Sequence, residues 1–375
     1  MTATEVYRAS VFATADIGEA ALNRLREHGY EVEVYSNTEA PPKSLIVEKV
    51  RSGIEALITT LRDPIDEDVL SAGAGTLKIV AQIAVGFDNI DRAAANRYQI
   101  PFTNTADVLT EATAEFAFFI MGAVSRKLYS SEKLVEENEW TSWHPYHPFL
   151  GDEVTGKTIA VIGTGRIGKA FAKKCLGLDG DLLLYDPEVR DERFVEFAGR
   201  EMALRFEAGF SKKRCEARYV SFSEALASAD YISLHVPLLM RGESITPTYH
   251  LMSTEAFRRM KKTAYLINTS RGPVVDEYAL YYALLNNEIA GAALDVYEKE
   301  PLPSDSPLRD PELRDRLRLF HHFASGTRET RLSPDPHVGM AGRCVQAVID
   351  VIESNYQGDL SKMPYVVNKE AFARR

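Results

Sequence analysis

The sequence predicts an α/β protein with two domains, each built on a doubly wound parallel sheet. Strand-like apolar segments alternate with helical segments over the first hundred residues, and the same alternation restarts at residue 157. A length of 375 residues also fits two domains better than one core. Short turns between alternating strands and helices indicate parallel sheets that are covered on both faces.

The first half contains five predicted strands, which are YRASVFATA, YEVEVYS, EALITTL, LKIVAQIAV and IPFTNT. The predicted helices between the earlier strands have apolar residues at helical spacing and are IGEAALNRLREHG, SLIVEKVRSG and IDEDVLSAG. Residues 107–138 are then mostly helical and begin near Asp107 or Thr110.

The second half starts with the strand KTIAVIG, and its later strands are DLLLYD, DYISLHVP, AYLINTS and AGAALDVY. Its predicted helices include SFSEALAS, STEAFRRM and DEYALYYALLNN. Two stretches depart from the alternation, the charged residues 187–218 and the proline-containing SPDPHVG at 333–339. We interpret both as surface elaborations.

Composition excludes several classes of partner. The net charge of −10 argues against binding nucleic acid or an anionic membrane. The longest apolar run, residues 116–124, is far shorter than the ~20 residues that span a bilayer. Cys175, Cys215 and Cys344 form no C-x-x-C pair, and the N-terminus has no signal-peptide layout. We therefore expect a cytoplasmic protein without a metal site.

The stretch TIAVIGTGRIGKAFA contains a G-x-G-x-x-G motif formed by Gly163, Gly165 and Gly168. Glycines collect in turns for many reasons, so the motif is informative only between a strand and a helix, where this one lies. There the first glycine makes the turn, the second lets the backbone approach a pyrophosphate, and the third allows close helix–strand packing. The helix N-terminus then supplies N–H donors. This arrangement predicts a dinucleotide site.

An acidic residue strengthens the prediction and indicates which dinucleotide binds. Asp186 ends the next strand, 23 positions after Gly163. That spacing matches the acid about 20 residues on that hydrogen-bonds the ribose hydroxyls of NAD. Because a carboxylate repels a 2′-phosphate, NAD is expected in preference to NADP. The alternative is that Asp186 only starts a turn before Pro187.

Three later segments each end a strand with reactive side chains. These are NTSRGPVVDE with Arg271, AALDVYEKEP with its acids, and FHHFASGT with His321 and His322. Reduction of an oxo acid needs a cation for the carboxylate, a proton donor for the carbonyl and an acid that keeps the donor charged. Strand ends in such sheets converge where cofactors bind, so we expect these groups to lie near the cofactor.

Over nearly its whole length the chain resembles the D-2-hydroxyacid dehydrogenases. The segments that carry the resemblance occur in order: NTADVLTEATAEFAF, GKTIAVIGTGRIGKAFA, ADYISLHVPL, LINTSRGPVVDE, GAALDVYEKEP and HFASGT. The resemblance implies a Rossmann NAD-binding domain at 107–326. That domain is inserted into a flavodoxin-like substrate domain made of residues 1–106 and 327–375.

The resemblance also implies the catalytic roles. Arg271 binds the carboxylate and carbonyl of a 2-oxo acid, His322 donates the proton, and Glu300 orients His322. The family usually has Pro where this chain has His321. Taken singly, Arg271 fits a structural salt bridge, Glu300 a solvated turn and a lone His a structural role. Their joint occurrence after the glycine motif favours catalysis.

Further residues follow from the same resemblance. The cofactor-binding residues implied, besides the three glycines and Asp186, are Arg166, Ile167, Pro237, Thr269 and Asp295. IAVGFDNID resembles the family's substrate loop, in which the N–H groups of Val85 and Gly86 hold the carboxylate, and Leu61 lies where relatives contact the substrate. The alternatives are that Gly86 only bends the chain and that Leu61 is a core residue.

The segment EWTSWHPYHPFLGDEVTGKTI (139–159) resembles the corresponding part of glyoxylate and hydroxypyruvate reductases. In some of those dimers a tryptophan reaches the partner subunit's active site, and the resemblance makes Trp143 its counterpart. Alternatively, the aromatic residues only pack a dimer contact. We therefore expect a homodimer that reduces glyoxylate or hydroxypyruvate to the D-2-hydroxy acid.

The sequence was also compared with the features expected for other functions. A formate dehydrogenase would carry Gln ahead of its catalytic His, and no Gln lies between Glu300 and His322. Phosphite oxidation stays open. An NAD(H)-sensing binding protein of the corepressor type would keep the same three residues and add a long regulatory tail, whereas this chain ends soon after YVVNKEAF. A degenerate member that binds NAD without chemistry is disfavoured by the intact Arg, Glu and His.

Overall fold

The computed structural model describes residues 8–145, 150–242, 244–357 and 359–373. The chain divides into two compact units. The first comprises Met1–Leu109 and Ser325–Arg375, and the second comprises Thr110–Ala324.

The first unit contains a five-stranded parallel sheet in the order β2-β1-β3-β4-β5. Its strands are β1 (Ala9–Ala13), β2 (Tyr30–Val34), β3 (Ala56–Thr59), β4 (Ile79–Gln82) and β5 (Phe102–Thr103). Its helices, labelled in chain order, are α1 (Glu19–Glu27), α2 (Lys43–Arg51), α3 (Glu67–Ala72), α4 (Arg92–Arg97), α12 (Arg328–Leu332) and α13 (Met340–Ile352). This order is the flavodoxin-like one, which reverses direction between β1 and β3.

Successive residues of a strand point to opposite faces, so β1 contributes to two cores. Val11 and Ala13 pack in the core beneath α1 and α13, whereas Phe12 packs in the core beneath α2, α3 and α4. All residues of β3 and β4 are buried. This explains why these strands read as continuous apolar runs in the sequence.

The second unit contains a seven-stranded parallel sheet in the order β12-β11-β10-β9-β6-β7-β8. Its strands are β6 (Ile159–Ile162), β7 (Leu182–Tyr185), β8 (Ala217–Tyr219), β9 (Tyr231–Leu234), β10 (Tyr265–Asn268), β11 (Gly291–Leu294) and β12 (Leu317–Leu319). Its helices are α5 (Thr110–Ser125), α6 (Leu128–Glu136), α7 (Arg166–Cys175), α8 (Glu192–Glu207), α9 (Phe222–Ser228), α10 (Thr254–Arg259) and α11 (Glu277–Leu285). Helices cover both faces, as predicted.

The segment 107–138, predicted to be mostly helical, contains the two helices α5 and α6. Between α5 and α6, Lys127 has a φ of 50°, which lies in the left-handed region. A residue in this conformation ends the hydrogen-bond ladder of one helix and redirects the chain into the next.

The stretch 187–218 is more than a surface elaboration, because α8 covers part of the sheet. Asp191 caps α8 by accepting the N–H of Phe194, and its carboxylate pairs with Lys169 of α7 at 2.6 Å. Ala198 and Met202 are buried in the core beneath the helix. Further apolar residues of the helix pack against this core while partly buried, but the charged residues interspersed among them concealed the pattern in the sequence.

The proline-containing stretch 333–339 joins α12 to α13. Gly339 packs against the backbone of Ser333 and Gly342 against that of Pro334, so closely that a Cβ at either glycine would overlap the neighbouring chain. The described helices include none that is long and apolar enough to cross a membrane. Nor do the described residues contain a cluster of His, Cys, Asp and Glu that could hold a metal ion.

Candidate active site

The glycine motif forms the turn between β6 and α7. Gly163 has a φ of 94°, and a Cβ there would lie 2.6 Å from the carbonyl oxygen of His235. A Cβ on Gly168 would overlap the carbonyl oxygen of Gly163. At Gly165, the residue before α7, a Cβ would meet nothing within 4 Å. The first and third glycines are thus needed for packing, and the second leaves open space beside the helix N-terminus.

That open space fits the pyrophosphate of a dinucleotide, because the first N–H groups of α7 and its positive dipole end favour an anion there. Arg166 and Ile167 form the first turn of α7. Thr269 lies directly after β10, and its hydroxyl is buried with no hydrogen-bond partner among the described residues. Such an orphaned group is expected where a ligand completes the site. The residues present therefore fit the cofactor.

Asp186 closes the turn that follows β7. Its Oδ2 accepts the N–H of Thr164 at 2.8 Å, and its Oδ1 accepts those of Glu188 and Val189 at 3.0 and 2.9 Å. Both sequence interpretations of Asp186 are therefore compatible with the geometry, since it shapes the turn and also lies beside the glycine motif. The hydroxyl of Thr164 also donates to Oδ2, at 3.4 Å, so three short hydrogen bonds and one long one already reach this carboxylate, which has about four acceptor positions.

Pro237 and Asp295 come just after β9 and β11, in line with Thr269 after β10. Asp295 is fully buried, and its two carboxylate oxygens accept the N–H groups of Phe323 and Ala324 at 2.7 and 2.8 Å. Its carbonyl oxygen accepts the N–H of His322 at 2.8 Å. Burial raises the pKa of Asp295 by more than these N–H groups lower it. Asp295 thus holds the backbone of the segment that carries His322.

His322 and Glu300 form a hydrogen-bonded pair. His322 Nδ1 lies 2.7 Å from Glu300 Oε2, and Glu300 Oε1 accepts the N–H of Tyr297 at 3.0 Å. Burial raises the pKa of Glu300, but the hydrogen bond and charge of His322, with smaller contributions from Tyr297 and Arg271, bring it below its usual value. Because an ionised carboxylate can only accept, the proton of this hydrogen bond belongs to Nδ1.

Arg271 is placed by the loop after β10. The side chain of Asn268 donates to the carbonyl oxygen of Arg271 at 3.0 Å, and Arg271 Nη1 donates to the carbonyl oxygen of Ser270 at 2.8 Å. The next residue, Gly272, packs so tightly on the backbone of Tyr297 that a Cβ would overlap it. The loop with Arg271 therefore lies on the loop with Glu300, and the structure brings Arg271, Glu300 and His322 together.

The two adjacent histidines have different surroundings. His321 is exposed, and its ring stacks on that of Phe323 with centroids 4.9 Å apart. Of the two, His322 is the one that contacts Glu300. His321 occupies the position where the family usually has proline, and His322 nevertheless pairs with Glu300.

The predicted substrate loop follows β4 in the first unit. Three successive carbonyl oxygens there accept hydrogen bonds: Ala84 from the N–H of Thr105 at 2.8 Å, Val85 from Asn104 Nδ2 at 2.9 Å, and Gly86 from Gln82 Nε2 at 3.2 Å. Within the described chain, the N–H groups of Val85 and Gly86 have no acceptor. Successive unpartnered N–H groups form an anion-binding concavity. Leu61 lies half-buried in a neighbouring turn of the same unit.

Trp143 lies in an irregular segment after α6, and 80% of its surface is exposed. The predicted segment 139–159 also includes Tyr146, His147, Pro148 and Phe149, which lie outside the described residues.

Sequence reasoning missed several residues that hold the site together. Tyr297, Asn104 and Gln82 carry hydrogen bonds to its loops. The first two lie in segments that carry the family resemblance and Gln82 lies in a predicted strand, but the sequence indicated no role for any of them. The sequence could have indicated a role in the site only through the position of these three residues at or shortly after the end of a strand.

A dinucleotide-shaped turn and a His–Glu pair near the same ends of one parallel sheet define the class of nicotinamide-dependent oxidoreductases. The family model described as "D-isomer specific 2-hydroxyacid dehydrogenase, NAD binding domain" matches residues 118–322. The chain belongs to this family and is an NAD-dependent 2-hydroxyacid dehydrogenase. The predicted fold class, enzyme class and cofactor are confirmed.

Similar proteins cover most of the chain. A glyoxylate reductase from Korarchaeum cryptofilum is 42% identical over 322 residues, which are 86% of this chain and 88% of that protein. A glyoxylate reductase from Thermofilum pendens is 37% identical over 370 residues, covering 98% and 97%. A crystal structure of a Thermus thermophilus protein matches with a TM-score of 0.77 at 33% identity, covering 92% of this chain and 97% of that one.

Proposed function

We propose that this enzyme reduces a small 2-oxo acid, glyoxylate or hydroxypyruvate, to the D-2-hydroxy acid. The observation that carries the proposal is the 2.7 Å hydrogen bond between His322 Nδ1 and Glu300, beside the loop that carries Arg271. Two similar proteins named glyoxylate reductase support the choice of a small substrate.

In this proposal the residues of the chain bind the 2-oxo acid and transfer one proton to it. Arg271 binds the carboxylate and the carbonyl oxygen, since a guanidinium offers paired donors. The N–H groups of Val85 and Gly86 are proposed to hold the carboxylate, and Leu61 to contact the substrate. NADH, when bound at the glycine turn, supplies the hydride that reduces C2.

The proton comes from His322. With Nδ1–H held by Glu300, Nε2 is the ring nitrogen that donates to the carbonyl oxygen as it becomes a hydroxyl. The ionised Glu300 stabilises the imidazolium before transfer and fixes the orientation of the ring. In the oxidative direction, Nε2 of His322 accepts the proton from the hydroxyl, so His322 acts as the base.

Asp186 sets the cofactor preference. Its carboxylate lies beside the glycine turn, so a 2′-phosphate on the adenosine ribose would meet a like charge. The enzyme is therefore proposed to prefer NADH to NADPH. The other cofactor-binding residues proposed are Gly163, Gly165 and Gly168, with the further set Arg166, Ile167, Pro237, Thr269 and Asp295.

The active enzyme is proposed to be a homodimer in which Trp143 reaches the partner's substrate. The second unit exposes several large apolar side chains close together in sequence, which are Phe119, Leu128, Tyr129, Val135, Trp140, Trp143 and Leu150. Exposed large apolar and aromatic side chains are common at protein–protein interfaces, which supports the proposed dimer.

The test is NADH oxidation by the purified protein with glyoxylate, hydroxypyruvate, pyruvate, a branched 2-oxo acid and an aromatic one, with NADPH in parallel. Turnover of the two small acids with NADH is expected. Tight NADH binding with no turnover of any 2-oxo acid would overturn the proposal and favour an NAD(H)-sensing binding protein. Turnover confined to phosphite with NAD would instead favour phosphite oxidation.

A further inference from the structure

We propose that the side-chain amides of Gln82, Asn89 and Asn104 are positioning residues that hold the substrate loop in its anion-binding conformation. The inference rests on the proposed function, because it concerns the loop assigned to the substrate carboxylate. None of the three amides is itself assigned to the substrate.

Because the peptide bond is planar, the side-chain amides of Asn104 and Gln82 can fix the direction of N–H groups in the substrate loop. In a trans peptide the C=O of one residue and the N–H of the next lie in one plane and point in opposite directions. Asn104 Nδ2 holds the C=O of Val85 at 2.9 Å, and this orients the N–H of Gly86. Gln82 Nε2 holds the C=O of Gly86 at 3.2 Å, which fixes the peptide on the other side of the same residue.

Asn89 joins this loop to the turn that carries Leu61. Its Oδ1 accepts from Gln82 Nε2 at 2.7 Å, and its Nδ2 donates to the carbonyl oxygens of Thr60 and Asp63 at 3.0 and 2.8 Å. These two carbonyls flank Leu61 in the chain. One connected set of amide hydrogen bonds therefore spans both segments that the proposed function assigns to the substrate.

The burial of Gln82 indicates that its Nε2 donor is the reason for an amide at this position. Gln82 is fully buried, yet its Oε1 has no hydrogen-bond partner among the described residues. An unsatisfied buried acceptor is unfavourable, and an apolar side chain of the same length would avoid it. An amide at this position is therefore explained by what its Nε2 holds, namely Gly86 and Asn89.

The variants Gln82→Met and Asn104→Leu remove the donors with little change in size and no change in charge. Asn368→Leu is the matched control. Asn368 is a fully buried amide of the same unit, and its Nδ2 donates to Asn96 Oδ1 and to the carbonyl oxygen of Ile100 at 3.0 and 3.1 Å. Neither partner belongs to the substrate loop.

Steady-state kinetics with glyoxylate, NADH affinity by fluorescence, and oxamate binding to the enzyme–NADH complex are measured for all four proteins. Because the carboxylate is bound equally before and during the reaction, KM for glyoxylate and Kd for oxamate should rise about tenfold or more, with kcat and NADH affinity little changed. The control should leave KM and oxamate affinity unchanged, whatever its effect on melting temperature.

Hydrogen–deuterium exchange of residues 83–91 provides a readout that does not need turnover. The N–H groups of Ile83, Ile90 and Asp91 are hydrogen-bonded there, so both variants should accelerate exchange in this segment and the control should not. Wild-type values of KM, oxamate affinity and exchange in the two variants would overturn the inference. Faster exchange in a protein that reduces no 2-oxo acid would instead overturn only the proposed function.

Discussion

The phenolic hydroxyl of Tyr297 donates a hydrogen bond of 2.5 Å to the carbonyl oxygen of Phe320. Phe320 lies two residues before His322, and the backbone N–H of Tyr297 donates to Glu300. One buried tyrosine therefore connects the loop of Glu300 to the strand end that leads to His322. The pair of side chains proposed for proton transfer is held in place from both sides.

Tyr297→Phe should lower kcat by about tenfold, because a small displacement of a proton donor slows its transfer. It should also lower the free energy of unfolding by about 1–3 kcal/mol, since the Phe320 carbonyl loses a buried donor. NADH oxidation and urea unfolding measure the two effects. Tyr30→Phe is the control, because Tyr30 donates to Glu353 in the first unit. It should retain wild-type kcat, and an equal fall in both variants would contradict the role of Tyr297.

His322→Ala should lower kcat by about 10²–10⁴-fold, the usual contribution of a positioned acid–base group. NADH affinity should stay near the wild-type value, which fluorescence titration checks. His321→Ala is the matched control, since His321 stacks on Phe323 and does not pair with Glu300. Activity retained in His322→Ala and lost in His321→Ala would reverse the assignment.

Glu300 should make stability depend on pH. The fold lowers the pKa of Glu300, so its ionised form contributes stability above the ordinary carboxyl pKa of about 4.3. That contribution is lost as the pH falls through the lowered value in the folded state. Urea unfolding of wild type and Glu300→Gln between neutral and acidic pH should show a difference that shrinks on acidification. A difference that grows towards low pH would show that the pKa is raised instead.

Gly165→Ala and Gly168→Ala should separate cofactor binding from folding. The space beside Gly165 is open, so its variant should fold normally and lose NADH affinity by about tenfold or more, because the methyl group occupies the proposed place of the pyrophosphate. The methyl group at Gly168 would overlap the Gly163 carbonyl, so this variant should lose stability. Calorimetry and NADH titration give the two quantities. Unchanged NADH affinity in Gly165→Ala would move the pyrophosphate elsewhere.

Trp143→Ala should raise KM for glyoxylate while the protein remains a dimer, if Trp143 reaches the partner's substrate. Analytical ultracentrifugation and steady-state kinetics test this. Trp140→Ala serves as the control for loss of an exposed aromatic side chain in the same segment. Dissociation with unchanged KM would assign Trp143 to interface packing, and a monomeric wild-type enzyme would remove the dimer from the proposal.

Local patterns determined the two parallel-sheet domains, the glycine turn and the NAD-dependent class. Apolar periodicity and glycine spacing depend on residues close together in the chain, so they can be recognised from the sequence alone. The same is true of Arg271, Glu300 and His322 as candidates, each of which follows a strand. The role of α8 could not be recognised, because its core-facing residues, which include Ala198 and Met202, are interspersed with charged ones.

The resemblance already implied that Glu300 orients His322, but only the tertiary structure shows the hydrogen bond between them and the groups that hold the loops. His321 and His322 are neighbours in the sequence, and the choice between them depends on Asp295 and Tyr297, which hold the backbone from other strands. Gln82 and Asn104 hold the substrate loop through side-chain hydrogen bonds that no periodic sequence pattern records. Hydrogen bonds between segments distant in the chain depend on orientations within about an ångström, which spacing in a sequence does not record.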